Sequence, residues 1–276
     1  ILHLIDESCV MLDSFSPFSG KKQLESAILC ALNIIAASLE KQNVFFDTHF
    51  ASNSSILMTG CSKLLLDVNP RSGRSDHMLN ITKMVTYNAW LPRQSLMGAK
   101  ILHYIILQPN VNNQLLGILT ANERTKLEIR QGFVECLDNE FYQDGESEEL
   151  ELAIKEEVFA LLRDALPQSA PNVAHFLLGF DISKDIRQSN LQQAGVLDFP
   201  STCSKSLVNM LDQYLDNAKG GRVMSEERLK MIESAYNLLY CLCFNFRTSD
   251  VFMRFLRSAS SDFLCRHVSQ LPFAGD

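Results

Sequence analysis

Apolar residues recur along this chain at helical spacing from Leu24 to Phe273, interrupted only by short polar breaks. Leu150, Ile154, Val158, Leu161 and Ala165 mark one face of a helix, and Glu149, Lys155, Glu156 and Arg163 occupy the other. Between Ser225 and Phe244 the stripe Met231, Ala235, Leu238, Leu242 runs beside a second one, Ile232, Tyr236, Leu239, Cys243. A face two stripes wide has to meet neighbours on more than one side. The stretch 24–39 is apolar almost all round, through Ala27, Ile28, Leu29, Ala31, Leu32, Ile34 and Ile35, which suits a helix in the middle of a layer. Strands would alternate with period two and close on Asn-Gly or Asp-Gly turns. The one Asp-Gly, Asp144-Gly145, lies in an acidic loop with no alternation beside it.

The pattern predicts helices near 1–13, 22–41, 55–66, 76–88, 94–107, 110–119, 123–138, 148–166, 171–179, 202–216, 225–244, 250–258 and 262–269. Start signals support several of them: Asn110 after Pro109, Asn122 before Glu123, Pro171 at a first helical position, Ser225 ahead of Glu226 and Glu227, Ser249-Asp250 and Ser261-Asp262. The longer breaks, 67–75, 138–147 and 181–190, are not low-complexity linkers, so residues 1–276 are expected to form one continuous body. Successive helices on short loops fit either a closed bundle or a superhelical stack. The wide stripes favour stacking, because each helix then faces both a partner and the next layer. The expected fold class is all-α, an irregular α-solenoid of stacked antiparallel helix pairs of the HEAT or armadillo kind. No strict repeat period stands out.

Composition narrows the function classes. The 276 residues are 46% hydrophobic, enough for a sizeable core, and glycine (12) and proline (8) are sparse. A net charge of -7 argues against a general nucleic-acid surface, so no direct nucleic-acid partner is expected. The eight cysteines all fall in predicted helices, mostly among apolar neighbours, and suit buried free thiols of a reducing compartment rather than a disulfide framework. Cys241-Leu-Cys243 and Cys265-Arg-His267 have the wrong spacing for zinc. No unbroken run reaches the roughly 18 apolar residues of a membrane span, so no transmembrane segment is expected. Ile1 opens neither a signal peptide nor a chain with an initiator Met, which suggests a piece of a longer chain. Asn53-Ser-Ser and Asn80-Ile-Thr match the glycosylation acceptor by chance.

The search for chemistry leaves little. Gly20-Lys21-Lys22 lacks the upstream glycine of a phosphate loop, and no nucleophile elbow or zinc-helix motif occurs. The histidines are scattered, and His103 and His175 sit among apolar residues as hydrogen-bonded helix histidines would. The carboxylates Glu148, Glu149, Glu151, Glu156 and Glu157 follow polar helix faces, with Glu151 and Lys155 as an i, i+4 pair, and are expected to be solvated. No catalytic, cofactor or metal residue is assigned, and no enzyme is expected. Phe45, Phe46 and Phe50, the loop Trp90, and Phe252, Phe255 and Phe263 with Arg254 and Arg257 have the composition of interface centres. They also suit packing between helices, which is the preferred reading.

Several segments in order carry a family resemblance: NITKMVTYN (80–88), GFVECLD (132–138), NVAHFLLGF (172–180), NLQQAGVLDFPSTC (190–203) and FMRFLRSASSDFLCRHVSQLPF (252–273). Their order and spacing resemble the middle region of the large inner-ring scaffold (adaptor) nucleoporins of the nuclear pore complex. The resemblance runs from about residue 60 to the end. It implies a helical superhelix located in the nuclear pore complex at the nuclear envelope, which binds linear segments of other nucleoporins. Those partners are the linker nucleoporin of the inner ring and a membrane-proximal adaptor nucleoporin. No partner-binding residue is carried over. The rival readings are an importin-like transport receptor that binds Phe-Gly peptides and, second, an enzyme with a helical core and an unrecognised site.

Overall fold

Several helices begin where a polar side chain can take a free backbone N–H. Ser225 Oγ accepts from the Arg228 N–H at 3.3 Å, Asn122 Oδ1 from Arg124 at 2.9 Å, and Thr202 Oγ1 from Lys205 at 3.4 Å. The computed structural model describes residues 1–14, 18–51, 59–68, 73, 76–138, 145–191, 202–220, 224–259 and 263–270, with backbone alone at 49–51, 145–146 and 259. Among the described residues there are helices α1 (Leu2–Asp13), α2 (Lys21–Ala51), α3 (Cys61–Leu66), α4 (Asp76–Lys83), α5 (Pro92–Ile106), α6 (Asn112–Thr120), α7 (Glu123–Asp138), α8 (Gly145–Ala165), α9 (Val173–Leu178), α10 (Cys203–Lys219), α11 (Glu226–Phe244), α12 (Ser249–Ala259) and α13 (Phe263–Val268), and no strand. Short 3₁₀ turns at Met84–Tyr87 and Ile186–Gln188 extend α4 and follow α9.

The packing repeats every third helix. α2 lies on α5, α5 on α8 and α8 on α11, while α1, α4, α7 and α10 form a second row. Within each layer the partners are α1 with α2, α4 with α5, α7 with α8 and α10 with α11. The short α3, α6 and α9 connect one layer to the next. The result is a helical-repeat solenoid of paired helices with a short third member. First-row helices start unequally in sequence, at Lys21, Pro92, Gly145 and Glu226, so no period was legible.

The buried side chains form one cluster from Ile5 to Phe263. Two glycines permit the closest approaches of one helix to the backbone of another. A Cβ on Gly98 of α5 would lie 2.8 Å from the Ile81 carbonyl oxygen, and one on Gly132 of α7 would lie 3.0 Å from Thr86 Cα. Both clashes fall on α4 and its extension, so α4 is the element around which adjacent layers close.

The structure corrects four expectations. Asn110 is not a cap; it adopts φ 62, and α6 starts later, after Val111. Pro171 precedes rather than opens α9, because Asn172 is the N-cap. α2 has an open side, with Ile34 51% exposed, since it begins its row and has α5 on one flank only. In addition, Lys21–Thr48 is long and apolar enough, by length and composition, to cross a membrane. Isolated polar residues break an uninterrupted apolar run without lowering the average enough to exclude a span. Here Ile28, Leu32, Ile35 and Leu39 are buried in the core cluster, as in the packed helix of a repeat. Asn80 donates to Asp6 Oδ1 at 2.8 Å inside the α1–α4 contact, while Asn53 and Ser261-Asp262 lie outside the described residues.

Candidate partner-binding groove

Thr202 caps α10 and turns Leu207, Met210 and Leu211 inward. The helix period then places Asn209, Gln213 and Asn217 along its edge, facing α8 and α11 across a groove of about 340 Å³. Met210, Met231, Ile232 and Leu152 give it an apolar floor, and Asp138, at the end of α7, closes one side. The three amides recur every four residues, so successive rungs stand about 6 Å apart along the helix. Alternate residues of an extended peptide are about 6.6 Å apart. Each amide offers both a donor and an acceptor. A row of this pitch can pair with the backbone of an extended segment while the floor receives its apolar side chains. Asn209 and Gln213 make no hydrogen bond among the described residues.

The electrostatics of the groove are local. Lys155 Nζ meets Glu151 Oε1 at 2.6 Å with side chains only 6% and 8% exposed, so this pair is buried, not solvated as its spacing alone suggested. Its shelter comes from α10 and α11, which no pattern within α8 reveals. Arg228 of α11 binds Glu148 of α8 at 2.6 Å and ties the two helices at the rim. Burial raises the Asp138 carboxyl above its ordinary range, against a hydrogen bond from Ser206 and the charge of Lys155.

The aromatic clusters separate into core and surface. Phe252, Phe255 and Phe263 are buried, which supports packing over interface; Arg254 pairs with Asp250 at 3.2 Å, and Arg257 is exposed on α12. Phe45 is half exposed with Phe46 beside it at 6.1 Å, and the Phe50 side chain lies outside the described residues. Trp90 stands edge-on to Tyr87 at 5.2 Å under the Lys21 ammonium. His103 bridges Glu157 (2.7 Å) and Asp164 (3.1 Å) of α8, and His175 completes the cap of α9. Sequence reasoning missed the amides at 209, 213 and 217, whose i, i+4, i+8 spacing was visible. It also missed Tyr240, Phe244 and Phe246, which are 62%, 76% and 68% exposed, because the stripe count stopped at two faces of α11.

Strongly perturbed groups do not converge on the groove. Burial pushes the thiols of Cys9 and Cys136 up to about 12 and raises that of Cys203 further, and these sit in the core. Cys30 and Cys265 are exposed, so not every thiol is buried, and none of the eight is in a disulfide. Among the described residues no three His, Cys, Asp or Glu side chains gather as a metal set.

Stacked helix layers of this kind define a class: a helical-repeat protein. The family described as "Nuclear pore complex scaffold, nucleoporins 186/192/205" matches residues 1–276, and the chain belongs to it. It is 36% identical over 327 residues to nuclear pore complex protein Nup205 of Drosophila melanogaster, covering 99% of this chain and 16% of that relative. Against human Nup205 it is 34% identical over 284 residues, covering 99% of the chain and 14% of the relative. The chain therefore spans about a sixth of the length of these relatives.

Proposed function

We propose that residues 1–276 are one continuous solenoid segment of a non-enzymatic scaffold in the inner ring of the nuclear pore complex, at the nuclear envelope. In this reading it supports pore assembly and nucleocytoplasmic transport by holding linear segments of other nucleoporins. The partners are the linker nucleoporin of the inner ring and a membrane-proximal adaptor nucleoporin. The observation that carries the reading is the amide row Asn209, Gln213, Asn217 over an apolar floor, in a chain of the scaffold family. Extended-segment docking needs no induced pocket there, since the rungs already match the peptide repeat. Several weak contacts along a linker can add to tight binding through their effective concentration. The importin-like alternative has less support, because the relatives are scaffold nucleoporins.

Titration of the chain with synthetic segments of the two partner nucleoporins and with Phe-Gly repeat peptides tests this. Binding of a nucleoporin segment that falls roughly tenfold in Asn209→Ala/Gln213→Ala, as expected for two lost hydrogen bonds, supports it. Binding of Phe-Gly peptides alone overturns it. X-ray scattering tests the continuous stack: a closed globule of this length has a radius of gyration of about 19 Å, and a clearly larger value is expected.

A further inference from the structure

At the end of α11 away from the groove's rim, three large rings are left in solvent. Tyr240 and Phe244 stack at 5.6 Å with planes 16° apart on the outer face of the helix. Phe246 follows in the turn to α12, and two guanidinium groups lie on it: Arg187 at 5.4 Å, from the 3₁₀ turn, and Arg247 at 5.0 Å. Arg247 also donates to the Gln168 carbonyl at 3.3 Å, which fixes it against the loop after α8. Arg254 donates to the Arg187 carbonyl at 3.4 Å, so a third guanidinium borders the same surface.

Two physical features set this surface apart. Each of its three rings is more than 60% exposed, whereas Phe252, Phe255 and Phe263 of this end pack inward. Rings held by neighbours but open to solvent, next to arginine, are the usual anchors of an interface. The second feature is charge. The chain carries a net charge of -7, yet the guanidinium groups of Arg187 and Arg247 form no ion pair among the described residues, a lack they share with Arg130 and Arg257, which lie on no ring. Arg124, Arg163, Arg228, Arg254 and Arg266 each form one. A guanidinium held over a ring can still give edge N–H groups to a carboxylate, and Arg247 has others besides the one on Gln168.

We propose that Tyr240, Phe244, Phe246, Arg187 and Arg247 form a docking site for an acidic linear protein segment that carries aromatic side chains. The carboxylates of the segment pair with Arg187 and Arg247, and its aromatic side chains lie against the Tyr240–Phe244 stack and the open edge of Phe246. The proposal rests on the scaffold reading for its general kind of partner and adds a second site with its own chemistry. A single-stranded nucleic acid also combines negative charge with rings. The oligothymidylate among the probes below decides for or against it.

The test uses this chain and the full-length protein that contains it, with fluorescein-labelled probes followed by anisotropy. The probes are a short Asp/Glu-rich peptide with two phenylalanines, its Lys-rich counterpart, its Phe→Ala counterpart, a Phe-Gly repeat and an oligothymidylate. The acidic aromatic peptide is expected to bind at least roughly tenfold tighter than the others, and to weaken by a similar factor in Arg187→Glu/Arg247→Glu and in Phe244→Ala/Phe246→Ala. Arg187, Phe244 and Phe246 are exposed, so Arg187→Glu alone and Phe244→Ala/Phe246→Ala should leave helix content and Tm unchanged. Arg247 is half-buried on the Gln168 carbonyl, so its reversal is read only where Arg187→Glu alone already weakens binding. Arg187→Lys/Arg247→Lys should restore only part of the affinity. Equal binding of the basic peptide, the Phe-Gly repeat or the oligothymidylate overturns the proposal. So does binding that survives charge reversal, or that the full-length protein lacks because its own chain covers the patch. Binding of nucleoporin segments in the groove should survive Arg187→Glu/Arg247→Glu, so failure at the patch leaves the scaffold reading standing. Loss of groove binding in the unaltered chain would instead count against that reading.

Discussion

His175 should make the stability of this protein fall in mild acid. Its backbone N–H donates to Asn172 Oδ1 at 3.0 Å, and its own Nδ1 accepts from the Asn172 N–H at 3.2 Å. Histidine thus takes the place that Glu or Gln fills in a capping box. The ring is fully buried, with an edge-to-face contact to Phe180 at 5.5 Å. Nδ1 can accept only if the ring is neutral. Burial, and then the charge of Arg247, lower its pKa to about 4 from an ordinary value of 6.5. Between those values the unfolded chain binds a proton that the folded one refuses, so stability rises with pH across the window and is lost as pH falls. Two and a half units at about 1.4 kcal/mol each give an effect on the order of 3 kcal/mol. His175→Gln keeps an acceptor at the capping position but does not titrate here. Urea unfolding of both proteins from pH 7.5 to 4.5 isolates the effect, because every other titrating group cancels in the difference. At pH 7 the variant should lie within about 1 kcal/mol of the wild type. On acidification the wild type should lose ground steadily below pH 6.5. A difference that stays flat across the window would refute the neutral buried cap.

His103 should show the opposite sign. Burial opposes its charge, but hydrogen bonds and charges from Glu157 and Asp164 outweigh this and raise its pKa. Its contribution, about 1–2 kcal/mol from two charge-assisted bonds, is complete below pH 6.5 and fades as pH rises through the raised folded value. The gap between wild type and His103→Gln in the same urea series should therefore shrink toward alkaline pH. Gly179→Ala puts a Cβ at φ +91 and 2.3 Å from Thr202 Cγ2, so a loss of about 3 kcal/mol is expected in thermal unfolding. Thr202→Ser, which removes that methyl, should recover part of it. Lys155→Met removes the cation that Glu151 meets inside the fold and should cost about 3–5 kcal/mol in urea. Glu151→Leu/Lys155→Met together should come within about 1 kcal/mol of the wild type.

The helices were legible because each buries one broad face, and a buried face writes its period into the sequence. The α7 pattern was read at 123–138, and the helix spans Glu123–Asp138. Ser225 and Asn122 marked their starts for the same local reason. What was not legible depends on residues distant in sequence. Glu151 and Lys155 look like a solvated pair until α10 and α11 are laid over them. Asn110 carries a cap's side chain, but its backbone turned to φ 62. His175 is an unusual partner for a cap, so no motif pointed to it. Tyr240 and Phe244 fit a helical stripe as well as Leu238 and Leu242 do; only the positions of α8, α10 and α12 decide which stripe is covered.

The groove follows from how the layers close. Where the second layer meets the third, Gly132 brings the α7 backbone against Thr86, and the missing side chain lets the junction seal. Where the third layer meets the fourth, the facing positions are Asn209, Gln213, Asn217 and the Glu151–Lys155 pair. Sealing that junction in the same way would bury amide groups with no partner, at a cost of about 1–3 kcal/mol for each one left unsatisfied. The open junction avoids the cost by leaving Asn209 and Gln213 to water. Water is also what an extended peptide backbone can replace, since it brings its own donors and acceptors at nearly the same pitch. The polarity that keeps the layers from closing is therefore the same property that suits the gap to a partner's main chain. Apolar substitutions at Asn209 and Gln213 should accordingly weaken segment binding while leaving the fold intact or more stable.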